Sequence, residues 1–115
     1  MEEATIRPPG VTLRYFDGCP NWQTTLTRLK EALTVLGDGD SEVTLERVET
    51  SADAERLRFV GSPTILLNGR DPFEEPGVEY GLACRIYRTP EGPAGSPTTE
   101  QLREALGAYL DQETS

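Results

Sequence analysis

Over VTLRYF, residues 11–16, Val11, Leu13 and Tyr15 alternate with Thr12, Arg14 and Phe16, which predicts a first strand. Asp17-Gly18 breaks it. The period then changes: Trp22, Leu26, Leu29, Leu33 and Leu36 recur three or four residues apart and make one apolar stripe of a helix. Pro20 suits the first position of that helix, with Cys19 as its N-cap, and Gly37-Asp38-Gly39-Asp40 ends it.

EVTLERV, residues 42–48, alternates imperfectly through Val43, Leu45 and Val48 and predicts a second strand. A short helix follows, capped by Thr50 or Ser51, running through Leu57 to Phe59 and closed by Gly61. SPTILLNG, residues 62–69, predicts a third strand headed by a proline, a position where proline is tolerated. GLACRIYR, residues 81–88, predicts a fourth, with Leu82, Cys84 and Ile86 on one face. In the last helix Leu102, Ala105, Leu106, Tyr109 and Leu110 form the stripe, and Thr98 with Gln101 forms a capping box.

The order is βαβαββα. Strands one and two, joined by a helix, should run parallel with a right-handed crossover, and strands three and four should pair antiparallel. The expected architecture is α/β, a mixed four-stranded sheet with helices on both faces. One domain over residues 11–112 fits a chain of 115 residues, and the charged, Pro/Gly-bearing residues 1–10 read as a flexible N-terminal arm.

Composition removes several kinds of chemistry. Eleven Lys and Arg against twenty Asp and Glu leave a net charge of −9, which repels nucleic-acid backbones and anionic lipid. No apolar run approaches the roughly 20 residues needed to span a bilayer, and MEEATIRPPG lacks the plan of a signal peptide, so a cytoplasmic protein is expected. There is no histidine, which rules out Cys-His and Ser-His pairs and histidine-based zinc sites. No metal site and no cofactor is expected. Two cysteines are too few for a disulfide scaffold, and a reducing compartment keeps them as thiols, so a disulfide between them would be functional rather than structural.

Two motifs stand out. Cys19-Pro20-Asn21-Trp22 opens the first helix, and Gly61-Ser62-Pro63-Thr64, followed by Asn68-Gly69, heads the third strand. With the element order, they make nearly the whole chain resemble the thioredoxin-like superfamily. The GCPNW and GLACR segments are also similar to sequences loosely labelled alkylmercury lyase-like. The resemblance implies that Cys19 stands at the first cysteine of a C-x-x-C site, that Ser62-Pro63 is cis, and that the Ser62-Pro63-Thr64 loop holds a substrate backbone or disulfide as an added strand. Trp22 replaces the second cysteine of that motif, so a disulfide across one helical turn is excluded.

At a helix N-terminus, unpaired amides and the positive end of the dipole lower a cysteine pKa from about 8.5 into the range of roughly 3.5 to 7.5. That supplies activation without histidine; the alternative is a buried relic. Asp17 opposes a low pKa if its charge is close, and is otherwise a proton carrier or a turn residue. Trp22 either covers the sulfur or tops the apolar stripe. Cys84 reads first as a small core residue, and as a candidate second thiol only if it comes within about 7 Å of Cys19. The expected return of strand four places it too far along for direct bonding without movement. The acidic segment 70–80, with Asp71, Glu74, Glu75 and Glu79, reads as a solvated loop at the opposite pole, its carboxylates paired with Arg85 and Arg88.

The expected function is mixed-disulfide exchange with a protein thiol or low-molecular-weight thiol, with Cys19 as the single nucleophile and Pro20 and the helix amides positioning it. Such a monothiol site predicts feeble dithiol reductase activity. The alternatives are a non-catalytic scaffold, or a protein that holds mercury or copper between Cys19 and Cys84. Carbon–mercury cleavage ranks last, because it needs two thiols and an acid and only Asp17 is on offer. Neither nucleic acid nor membrane is an expected partner, and the sequence leaves the oligomeric state open.

Overall fold

The structure, a computed structural model, describes residues 10–39 and 42–114, with side chains through Leu110. Its elements are β1 (Val11–Tyr15), α1 (Asn21–Val35), β2 (Val43–Arg47), α2 (Ser51–Leu57), β3 (Thr64–Leu67), β4 (Tyr87–Thr89), β5 (Gly92–Ala94) and α3 (Thr99–Thr114). The expected arm lies outside the described residues except for Gly10. There the Gly10 N–H donates to the Asn68 side-chain oxygen at 3.0 Å, and the Asn68 N–H donates to the Gly10 carbonyl at 2.8 Å.

β1 is the centre of a mixed three-stranded sheet in the order β2-β1-β3, parallel to β2 and antiparallel to β3. The register sets Val11 opposite Leu67 and Leu13 opposite Ile65, so four apolar side chains share one face. The stripe of α1 (Leu29, Ala32, Leu33) and that of α3 (Leu102, Leu106, Tyr109) close over it as the main core. Removing that much apolar surface from water is the dominant favourable contribution to the fold. Phe16 belongs to a second cluster with Val48, Ala54, Phe59, Leu57 and Leu82, and the Arg14 guanidinium donates to the Leu57 carbonyl at 3.0 Å, which sets α2 on the other face.

Side-chain caps fix the starts of two helices. The Thr50 hydroxyl accepts from the Asp53 N–H at 3.0 Å and fixes the start of α2. Thr98 and Gln101 form the reciprocal capping box of α3 at 2.9 and 3.0 Å. Two helix caps differ from expectation. Pro20 takes the N-cap position, so α1 begins at Asn21 and Cys19 stands one residue ahead of the cap. Arg58, with φ 56°, rather than Gly61, closes α2 in the left-handed conformation.

The expected fourth sheet strand is the principal correction. Residues 81–88 do not run antiparallel along β3; they meet its leading loop at one parallel bridge, Ser62 with Cys84, and only Tyr87–Thr89 is a strand, in a separate hairpin with Gly92–Ala94. Pro63 has no N–H to continue a ladder past Ser62. The buried phase is shifted too: Arg85 and Tyr87 point inward, whereas Cys84 is exposed and Ile86 is 62% exposed. The inward phase wins because both polar groups find partners there, as the site shows.

Candidate functional site: a cysteine pair beside the Ser62-Pro63 loop

The β1 strand delivers the chain to a tight turn in which the Cys19 N–H donates to the Phe16 carbonyl at 3.0 Å, and this sets Cys19 immediately before α1. The residue is fully buried. Its Sγ lies 3.6 Å from the Ser62 carbonyl oxygen, and the Asn21 side-chain amide donates to it at 3.6 Å. Pro20 turns the chain into the helix with φ −76° and no side-chain cap.

Cys19 and Cys84 are joined as a disulfide, their Cα atoms 5.6 Å apart. That overturns the expectation that they are too distant, and the bridge to Ser62 is the reason. The Ser62 N–H donates to the Ala83 carbonyl at 2.8 Å, and the Ser62 carbonyl accepts from the Arg85 N–H at 2.9 Å. Residue 84 is therefore held beside the same loop that touches Cys19. Ser62-Pro63 is cis, the geometry that the resemblance implies. The Ser62 hydroxyl accepts from the Phe16 N–H at 3.0 Å, tying this loop to the end of β1.

A polar network fastens the Cys84 segment from below. The Arg85 guanidinium pairs with Asp71 at 2.7 Å and donates to the Phe73 carbonyl at 2.6 Å and to the Thr64 hydroxyl at 3.4 Å. It also stands 4.5 Å from the centre of the Tyr87 ring. Thr64 in turn donates to the Gly61 carbonyl at 2.6 Å. Burial pushes the Tyr87 hydroxyl well above the usual tyrosine pKa, and it remains a neutral donor to the Pro63 carbonyl.

The other residues singled out in the sequence have plainer places. Trp22 stacks on Tyr15, with ring centroids 4.3 Å apart, and packs against the main core. Asp17 pairs on the surface with Arg47 at 3.0 Å. The pairing expected of Arg85 and Arg88 with the acidic loop is present, as Arg85 with Asp71 and Arg88 with Glu75. That loop is not at a distant pole: Glu74, Glu75 and Glu79 line the same open groove, of about 1160 Å³, as Cys84.

Sequence reasoning missed Asn21, Gly61 and Tyr87. Asn21 was findable as the polar residue two positions after a helix-start cysteine, and Tyr87 as the neighbour of Arg85 on an alternating strand. Gly61, with φ +130°, carries no local signal that Arg85 packs against it. No group of three or more His, Cys, Asp or Glu side chains gathers as a metal site among the described residues. No helix there is long and apolar enough to cross a membrane.

A scan of the chain against family models finds no match, and a search among curated proteins finds none.

Proposed function

We propose that this is a thioredoxin-like thiol–disulfide exchange protein that works through the pair Cys19 and Cys84 rather than through Cys19 alone. The observation that carries the reading is the bonded pair, with Cα atoms 5.6 Å apart, formed between a helix-start cysteine and an exposed residue on a groove. A bond buried on both sides would read as a structural staple. This one has an exposed half, and the sulfur of the other half accepts from the Asn21 amide, a donor that favours a thiolate.

The chemistry is a two-electron exchange. A thiolate attacks one sulfur of the pair and the other leaves as a thiolate; a second thiolate then attacks the resulting mixed disulfide and releases the reduced pair. Two partner thiols become a disulfide, and the protein takes up the two electrons. The partner is a dithiol protein or a low-molecular-weight thiol. With a resolving cysteine in the chain, the feeble dithiol activity expected of a monothiol site no longer applies.

Equilibration in glutathione buffers of graded potential, followed by alkylation and mass measurement, tests the reading. It predicts one two-electron transition linking Cys19 to Cys84 in folded protein. Two thiols that stay free in every oxidising buffer, or a bond that yields to reductant only on unfolding, would leave a scaffold. The second reading, a soft-metal holder, draws on the same closeness of two sulfurs. It predicts that the reduced protein takes up one mercury or copper(I) ion, and that either Cys→Ser change abolishes the uptake.

A further inference from the structure

We infer that Cys84 is the sulfur an incoming nucleophile attacks and that Cys19 is the leaving group, an assignment that rests on the exchange function just proposed. It reverses the roles expected from the sequence, in which Cys19 is the nucleophile that meets the partner.

Access is the first argument. Cys19 is fully buried, enclosed by the Ser62 carbonyl and the Asn21 amide, whereas Cys84 is exposed and forms part of the groove wall with Arg58, Val60, Glu79 and Ile86. Thiol–disulfide exchange proceeds by attack on a sulfur with expulsion of its partner, so the accessible sulfur is the one attacked.

Leaving-group chemistry points the same way. The lower the pKa of the departing thiol, the faster it leaves. The Asn21 amide donates to the Cys19 sulfur and stabilises it as the departing thiolate, and among the described residues no donor is seen on the Cys84 sulfur.

The third observation concerns the Ser62-Pro63-Thr64 loop, expected to hold a partner's backbone. Both backbone hydrogen-bonding groups of Ser62 are already taken, by Ala83 and Arg85. In the disulfide form the chain's own segment occupies the added-strand position, so a partner approaches from the groove. Nucleophile and Cys84 then form a bond, the S–S bond breaks, and its electron pair departs on Cys19 Sγ.

Sulfite reads this out, because it marks the sulfur it attacks as a stable S-sulfonate and releases the other as a thiol. The oxidised full-length protein is treated with sulfite and iodoacetamide under native conditions, quenched in acid and digested with trypsin, which separates Cys19 (residues 15–28) from Cys84 (residues 71–85). The sulfonate is expected on Cys84 and the alkyl group on Cys19, in excess of the reverse pattern by about tenfold or more. Sulfonate on Cys19, or an even split, overturns the assignment. The same reaction in denaturant, where the two sulfurs are equally accessible, should lose the bias; a bias that persists unfolded would come from local sequence and also overturn it. Absence of any Cys19–Cys84 bond before sulfite is added would instead defeat the exchange function itself, and the two failures are thus told apart.

Discussion

Gly61 and Arg85 approach so closely that a Cβ built on Gly61 would stand 2.9 Å from the Arg85 Cβ and 3.2 Å from its Cα. Glycine at φ +130° lets the two backbones meet, next to Cys84, the residue bonded to Cys19. Gly61→Ala is therefore expected to cost about 1–3 kcal/mol of stability through backbone strain alone. It should also lower the fraction of Cys19–Cys84 bond formed in a fixed glutathione buffer. Urea unfolding of the reduced protein isolates the first effect, and alkylation counting in the buffer isolates the second.

Local patterns announced the parts of this fold that local physics decides. The 3- and 4-residue spacing of Leu26, Leu29 and Leu33, the strand alternation of Val11 and Leu13, and the Thr98–Gln101 capping box all appear as read. What escaped was a contest between burial phases in residues 82–87. Leu82, Cys84 and Ile86 make the more apolar set, yet Arg85 and Tyr87 go inside, because Asp71, Phe73 and Pro63 satisfy their polar groups. Those partners lie 12 to 24 residues away in the chain, and a periodicity argument sees none of them. The misplacement of Cys84 followed from expecting residues 81–88 to return antiparallel along β3, whereas they meet the loop ahead of it at the single bridge between Ser62 and Cys84.

The Arg85–Asp71 pair is nearly buried, with side-chain exposures of 8% and 14%. Removing one partner leaves the other charge poorly solvated, so Arg85→Met is expected to cost about 3 kcal/mol. Adding Asp71→Asn should recover part of that loss, since the remaining amide oxygen still accepts from the Phe73 N–H. A double-mutant cycle by urea denaturation measures the coupling. Two effects that simply add would show that the pair does not fasten the 71–87 segment.

Asn21 offers its amide to the Cys19 sulfur at 3.6 Å. Asn21→Asp keeps the shape but replaces a donor with a negative charge, which disfavours the thiolate. The Cys19 pKa in reduced protein should rise by about one unit or more, roughly 1.4 kcal/mol against the thiolate. A carboxylate in the first turn of α1 suits the helix dipole, so stability should hold or improve. Iodoacetamide alkylation of Cys19 from pH 4 to 10, in a Cys84→Ser background, reads the shift. An unchanged profile would remove Asn21 from the site.

The Cys19–Cys84 bond closes a loop of 65 residues, and a chain-entropy argument gives such a closure about 4 kcal/mol of stabilisation through the unfolded state. Neither cysteine belongs to the main apolar core built from β1, β3, α1 and α3, so that core should stay packed when the bond opens. Reduction is therefore expected to lower the urea midpoint without unfolding the protein, and Cys84→Ser should match the reduced wild type. Cys19→Ser should fall further, because it also places a hydroxyl in the fully buried position the sulfur occupies. Equal losses for the two variants would mean that the buried site accepts oxygen as readily as sulfur. A reduced protein that unfolds outright would make the bond a structural staple, and exchange at Cys84 would then have no folded dithiol form to return to.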